Sequence, residues 1–183
     1  ARNISDRWTW SPQEVTIYMR SPEHAAAESA VNSVSAQFAA ENPGYRLYAN
    51  TQIRDLDIQL SRYNQNLSVG RVADTIVSDA AAACTRAPEK FADWLSSWRP
   101  PVAANLAAPG LSPHGQARAF DFQVYKGDIL IAGTDSGQIT DVWIGRGWAD
   151  RLARAVRKAS PAFEGPLQSP NEPWHYTYVA KQR

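Results

Sequence analysis

Ala119-Phe120-Asp121-Phe122-Gln123-Val124-Tyr125 alternates with period two. In a β-strand that spacing puts Phe120, Phe122 and Val124 on one face and Ala119, Asp121 and Gln123 on the other. Aspartate is disfavoured inside a strand, so Asp121 needs a reason to be there, such as a metal or another cation. Working outward, Lys126-Gly127-Asp128 reads as a turn and Ile129-Leu130-Ile131 as the returning strand. Upstream, Ser112-Pro113-His114 closes a loop that Gly110 and Pro113 turn sharply and keep out of helical conformation. That loop delivers His114 to the start of the strand.

A second stretch, Glu172-Pro173-Trp174-His175, runs into a final strand over residues 176–179. If the strand includes His175, then His175, Thr177 and Val179 share a face, and pairing with the first strand sets His175 beside Asp121. Pro173 pushes Glu172 towards an extended backbone, off the ligand face but close to it. Two imidazoles and a carboxylate with an open fourth position make a catalytic zinc site, with His114, Asp121 and His175 as ligands. Glu172 would then be the base that takes a proton from the acidified water. On spacing alone, a pair of surface or hydrogen-bonded polar residues fits the same pattern.

Around this centre the chain alternates helices and short strands. Val15-Thr16-Ile17-Tyr18 reads as a short strand or packing segment. Ser21-Pro22-Glu23 is a helix start, with serine at the N-cap and proline at the first helical position. Ala27, Ala30, Val31, Val34 and Phe38 follow at helical spacing until Asn42-Pro43-Gly44, with His24 a surface residue of the first turn. Residues 45–50 alternate like a strand, and residues 55–63 are helical, with Leu56, Leu60 and Tyr63 on one face. A helix over 68–86 carries the stripe Val69, Val72, Ala73, Ile76 and Ala80, and Phe91, Trp94, Leu95 and Trp98 form another; both are expected in the core. Trp148, Leu152, Ala155, Val156 and Ala159 mark an amphipathic helix ended by Ser160-Pro161. With no repeat or linker, the expectation is one α+β domain: a small antiparallel sheet carrying the zinc site, with helices packed around it.

Composition sets the outer limits. The 183 residues suffice for a real core, and 44% hydrophobic against 20% charged residues is typical of a globular protein. Nineteen basic against eighteen acidic residues leave a net charge of +1, which argues against nucleic-acid binding through bulk electrostatics. No apolar run reaches the roughly 20 residues that span a bilayer. Cys84 is the only cysteine, so no intramolecular disulfide forms.

Residues 109–114 and 119–121 resemble the P-G-x-S-x-H-x-x-G-x-A-x-D motif of zinc D-alanyl-D-alanine carboxypeptidases, and residues 172–176 resemble that family's E-P-W-H segment. The group includes vancomycin-resistance D,D-dipeptidases and phage L-alanyl-D-glutamate endolysins, and it shares a fold with the hedgehog signalling domain. The resemblance covers residues 45–179 and leaves 1–44 as an N-terminal extension. It implies Zn²⁺ on His114, Asp121 and His175, Glu172 as catalytic base and Ser112 bordering the substrate. Where the family has a glycine before its second alanine, this chain has Ala117.

A third family motif pairs an arginine with a glutamine five residues on. Arg54 and Gln59 match it, which implies a catalytic arginine that holds a substrate carbonyl or carboxylate, with Gln59 at the substrate. Arg46 imitates the local sequence better but lacks the glutamine. The implied activity is hydrolysis of peptidoglycan stem or cross-link peptides, D-Ala-D-Ala carboxypeptidase-like, in the periplasm or another extracytoplasmic place, including after secretion. An L-Ala-D-Glu or cross-link endopeptidase and a zinc-bearing domain without turnover are the alternatives.

Overall fold

A computed structural model describes residues 10–51, 53–106, 108–109, 114, 118–159, 162–168 and 170–179. Strand β2 (Ala119–Lys126) is its hub. It pairs antiparallel with β1 (Tyr45–Asn50) along one edge. Along the other edge it pairs with β5 (His175–Tyr178) near its start and β3 (Ile129–Ala132) near its end. The two-residue β4 (Phe163–Glu164) extends the sheet beyond β5. The period-two pattern holds: Phe120, Phe122 and Val124 are buried, and Leu47, Ala49, Tyr176 and Tyr178 share their face.

That face is covered by α2 (Pro22–Glu41) and α6 (Trp148–Ala159). Helix α2 starts as the sequence implies, with Ser21 Oγ accepting a hydrogen bond from the His24 amide at 3.1 Å. It ends at Asn42, after which Gly44 adopts φ +83° and turns the chain into β1. Val34, Phe38 and Leu152 are fully buried, each gaining roughly 1.5–3 kcal/mol from leaving water. The segment ahead of residue 45 thus supplies part of the core. The result is an α+β arrangement, one small antiparallel sheet with helices packed on it.

Four expectations change. Residues 15–18 lie in a helix, α1 (Pro12–Met19), not a strand. Ser11 and Glu14 close a capping box there: Ser11 Oγ accepts from the Glu14 amide, and Glu14 Oε2 accepts from the Ser11 amide at 2.8 Å. Those local bonds outweigh the β preference of Val15, Thr16 and Ile17. His24 is buried rather than on the surface, set edge-on against the Tyr18 ring with centroids 5.4 Å apart.

The apolar stripes of α4 (Leu67–Arg86) and α5 (Phe91–Ser97) are not core: neither helix buries a residue. With α3 (Leu56–Gln65) they form a helical excursion between β1 and β2, packing chiefly on one another among the described residues. Two helices can only half-cover each other's stripes. Leu60, expected on an apolar face with Leu56 and Tyr63, is exposed, and Gln59 is buried in its stead. Among the described residues no helix is long and apolar enough to cross a membrane. Gly110, Leu111, Ser112, Pro113, Ala117, Ser160 and Pro161 lie outside the described residues.

Candidate metal centre

The sheet register builds the centre. Antiparallel pairing of β2 with β5 sets Asp121 directly opposite His175, and pairing with β1 sets Asn50 opposite Asp121 on its other side. Directly opposed residues project from the same face. His114 reaches this row from the loop ahead of β2, its Nε2 lying 3.2 Å from Asp121 Oδ2. His175 Nδ1 lies 3.1 Å from Asp121 Oδ1. The two imidazole rings are nearly perpendicular, with centroids 4.9 Å apart. One ligand atom from each of His114, Asp121 and His175 falls within 4.8 Å of the others, so the group can hold a metal ion.

The hydrogen bonding fits such an ion. Five buried side-chain polar atoms lack a hydrogen-bond partner among the described residues, and three of them are Asp121 Oδ1, His175 Nδ1 and His175 Nε2. Asp121 Oδ1 and His175 Nδ1 therefore approach each other without the alignment of a hydrogen bond. Leaving buried polar atoms unpaired costs about 1–3 kcal/mol each, and a cation accepting a lone pair from each side removes that cost where the two face each other. Two imidazoles and a carboxylate are also a donor set that zinc accepts. Burial alone would raise the Asp121 pKa; the two imidazoles outweigh it and hold the carboxyl well below the usual carboxylate range. Asp121 is thus kept in its ligating form.

Glu172 stands at the margin of the group, Oε2 3.4 Å from His175 Nδ1. Its backbone is stitched down on both sides: the Glu172 amide donates to Leu167 O at 2.9 Å, and Glu172 O accepts from the His175 amide at 3.1 Å. Trp174, between them, is buried beside Trp143, whose Nε1 donates to Gly133 O at 2.7 Å. Burial pushes the Glu172 pKa up, and the Asp121 carboxylate adds to this against the pull of the imidazoles.

Arg54 follows the row's outer member, Asn50, by four residues and is half-buried. Burial and the neighbouring Arg62 lower its pKa, while the Asp121 carboxylate favours its charge; the guanidinium is within electrostatic reach of the centre. Gln59 is physically tied to it, Nε2 donating to Arg54 O at 2.9 Å. Its amide holds the arginine's backbone at the start of α3. Arg46 is at the far end of β1, opposite Tyr125, donating to Gly127 O at 3.2 Å and stacked over the Tyr125 ring at 4.7 Å. Asn50 was not legible as a site residue: only the β1–β2 register sets it beside Asp121.

Fold and centre define an α+β protein with a group of two imidazoles and one carboxylate able to hold a metal ion, flanked by a further acid. No protein-family model matches the chain, and no curated protein does. A solved structure, that of the LdcB LD-carboxypeptidase, described as revealing the molecular basis of peptidoglycan recognition, is similar at 18% identity with a TM-score of 0.42. The match covers 84% of this chain and 59% of that one, so this chain spans less than two thirds of its length. A likeness of that size leaves the site to be read from its own residues.

Proposed function

We propose that this protein is a zinc-dependent peptidase that trims peptidoglycan stem peptides in the manner of a D-Ala-D-Ala carboxypeptidase. The observation that carries the reading is the meeting of His114, Asp121 and His175, with buried ligand atoms of Asp121 and His175 left unpaired and the Glu172 carboxylate 3.4 Å from His175. The motif resemblance of residues 109–121 and 172–176 supports the substrate class. His114, Asp121 and His175 would hold the ion. The chemistry such an ion supplies when bound is Lewis-acid polarisation of a carbonyl and acidification of water.

The chain's own residues divide the remaining work. Glu172, made more basic by burial, takes the proton of the attacking water at a carboxylate oxygen and returns it to the leaving amine. Asp121 stays ionised beside the imidazoles, which keeps its carboxylate available as a ligand. Arg54, charged and half-buried, presents a planar fork of donors to the substrate's terminal carboxylate. A terminal carboxylate anchor favours removal of a C-terminal residue over internal cleavage. A substrate in the cell wall places the protein outside the cytoplasm.

Mass spectrometry of defined muropeptides tests the reading. Digestion should release the terminal D-alanine, stop on chelation and resume with added zinc. Cleavage indifferent to the chelator, or no cleavage of any stem peptide by zinc-loaded protein, would overturn it.

A further inference from the structure

Helix α1 lies ahead of every residue that carries the motif resemblance, yet it reaches Ile53, the residue next to the arginine. Tyr18 and Ile53 form a buried cluster separate from the main core, with Trp10 and Val15 packed against it. Ile53 immediately precedes Arg54. On the other flank, buried Gln59 holds Arg54 O at 2.9 Å. The arginine's backbone is thus gripped from both sides, by an amide and by an apolar seat.

The seat is itself anchored. The Trp10 and Tyr18 rings are 4.9 Å apart, and Tyr18 packs edge-on against His24 in the first turn of α2. The Ser11–Glu14 capping box holds the helix that carries Tyr18. A physical chain therefore runs from α2 through Tyr18 and Ile53 to Arg54.

We infer that α1 is a positioning element for Arg54: the seat formed by Tyr18 with Trp10 and Val15 fixes Ile53, so that the guanidinium is presented beside the metal centre. This rests on the reading of Arg54 as the substrate's carboxylate anchor. A long flexible side chain binds a carboxylate productively only when its root is fixed, and misplacement by about 1 Å can cost as much as 10²-fold in rate. Tyr18 and Ile53 are positioning residues; neither needs to touch the substrate.

The test uses the full chain, with Ile53→Ala and Tyr18→Ala acting from opposite sides of the contact and Ile53→Val as the mild variant. Each is made with Arg54 intact and in an Arg54→Ala background. Expected with Arg54 intact is a loss of at least about tenfold in kcat/KM for both alanine variants, with zinc content unchanged and Ile53→Val close to wild type. In the Arg54→Ala background the same substitutions should cause no further loss. In metal-free protein, amide hydrogen exchange at residues 53–55 should quicken by at least about tenfold in the alanine variants.

An equal additional loss without Arg54 would overturn the inference, as would unchanged turnover and exchange in both alanine variants. An Arg54→Ala variant with wild-type turnover would sink the carboxylate reading and this inference with it. An impaired Arg54→Ala beside an unimpaired Ile53→Ala would sink this inference alone.

Discussion

Replacing Glu172 by glutamine should separate metal binding from turnover. Glutamine keeps the size of the side chain, and the two backbone bonds that hold residue 172, to Leu167 and His175, do not involve the carboxylate. Glu172 lies outside the group of His114, Asp121 and His175, so zinc stoichiometry should be unchanged. What is lost is a base. General-base catalysis contributes about 10²–10⁴-fold, or roughly 2.7–5.4 kcal/mol of barrier at about 1.36 kcal/mol per tenfold. Release of D-alanine from a stem peptide should fall within that range, with KM little changed.

The same substitution should alter the pH response in a defined direction. Burial, aided by Asp121, raises the Glu172 pKa, so the carboxyl takes up its proton, and stops acting as a base, at a pH above the ordinary glutamate value of about 4.3. The acid limb of kcat/KM should lie above that value and vanish in Glu172→Gln. Stability moves the opposite way to activity. A carboxyl with a raised folded-state pKa contributes stability fully present below the unfolded pKa and lost as pH rises through the folded one. Metal-free Glu172→Gln should therefore melt at a higher temperature than wild type near pH 7. A variant with near-wild-type D-alanine release, or one that loses zinc, would refute the assignment of Glu172 as a base apart from the ligand set.

The remaining predictions concern the ligands, the choice of arginine and the core. His114→Ala should abolish stoichiometric zinc, seen by elemental analysis, while leaving the fold near native in circular dichroism; retained zinc would remove His114 from the ligand set. Arg54→Ala should retain zinc and lower kcat/KM by on the order of 10²-fold, the loss of a charge-assisted carboxylate contact. Arg46→Ala, remote at the far end of β1, should leave turnover unchanged, and the reverse result would assign the anchoring role to Arg46 instead. Phe38→Ala should cost about 3–5 kcal/mol in denaturant unfolding, because Phe38 is fully buried between sheet and helices. A cost near zero would mean that α2 is an appendage.

Much of the centre is readable locally because local rules produce it. The alternation around Asp121 allows only one face assignment for a strand, and Pro173 forces Glu172 into extended backbone just before His175. The start of α2 is legible for the same kind of reason, since serine and proline at its first positions satisfy and pre-set the backbone there. The capping box of α1, made by Ser11 and Glu14, is equally local, but the β-branched run behind it gives the opposite signal. His24 could not be placed from sequence, because its burial depends on Tyr18, a residue of another helix.

The primary structure by itself determined the period of the strands, the helix starts and the chemical kinds of the metal-centre side chains, since each depends on neighbours within a few residues. Tertiary structure alone decided the rest. Registers of β1, β2 and β5 set Asn50, Asp121 and His175 in one row; packing left α4 and α5 without a buried residue despite their stripes; and Ile53 found its seat on a helix more than thirty residues earlier in the chain. Amphipathic spacing states which face of an element will seek cover, but what covers it is settled by distant segments competing for the same apolar surface.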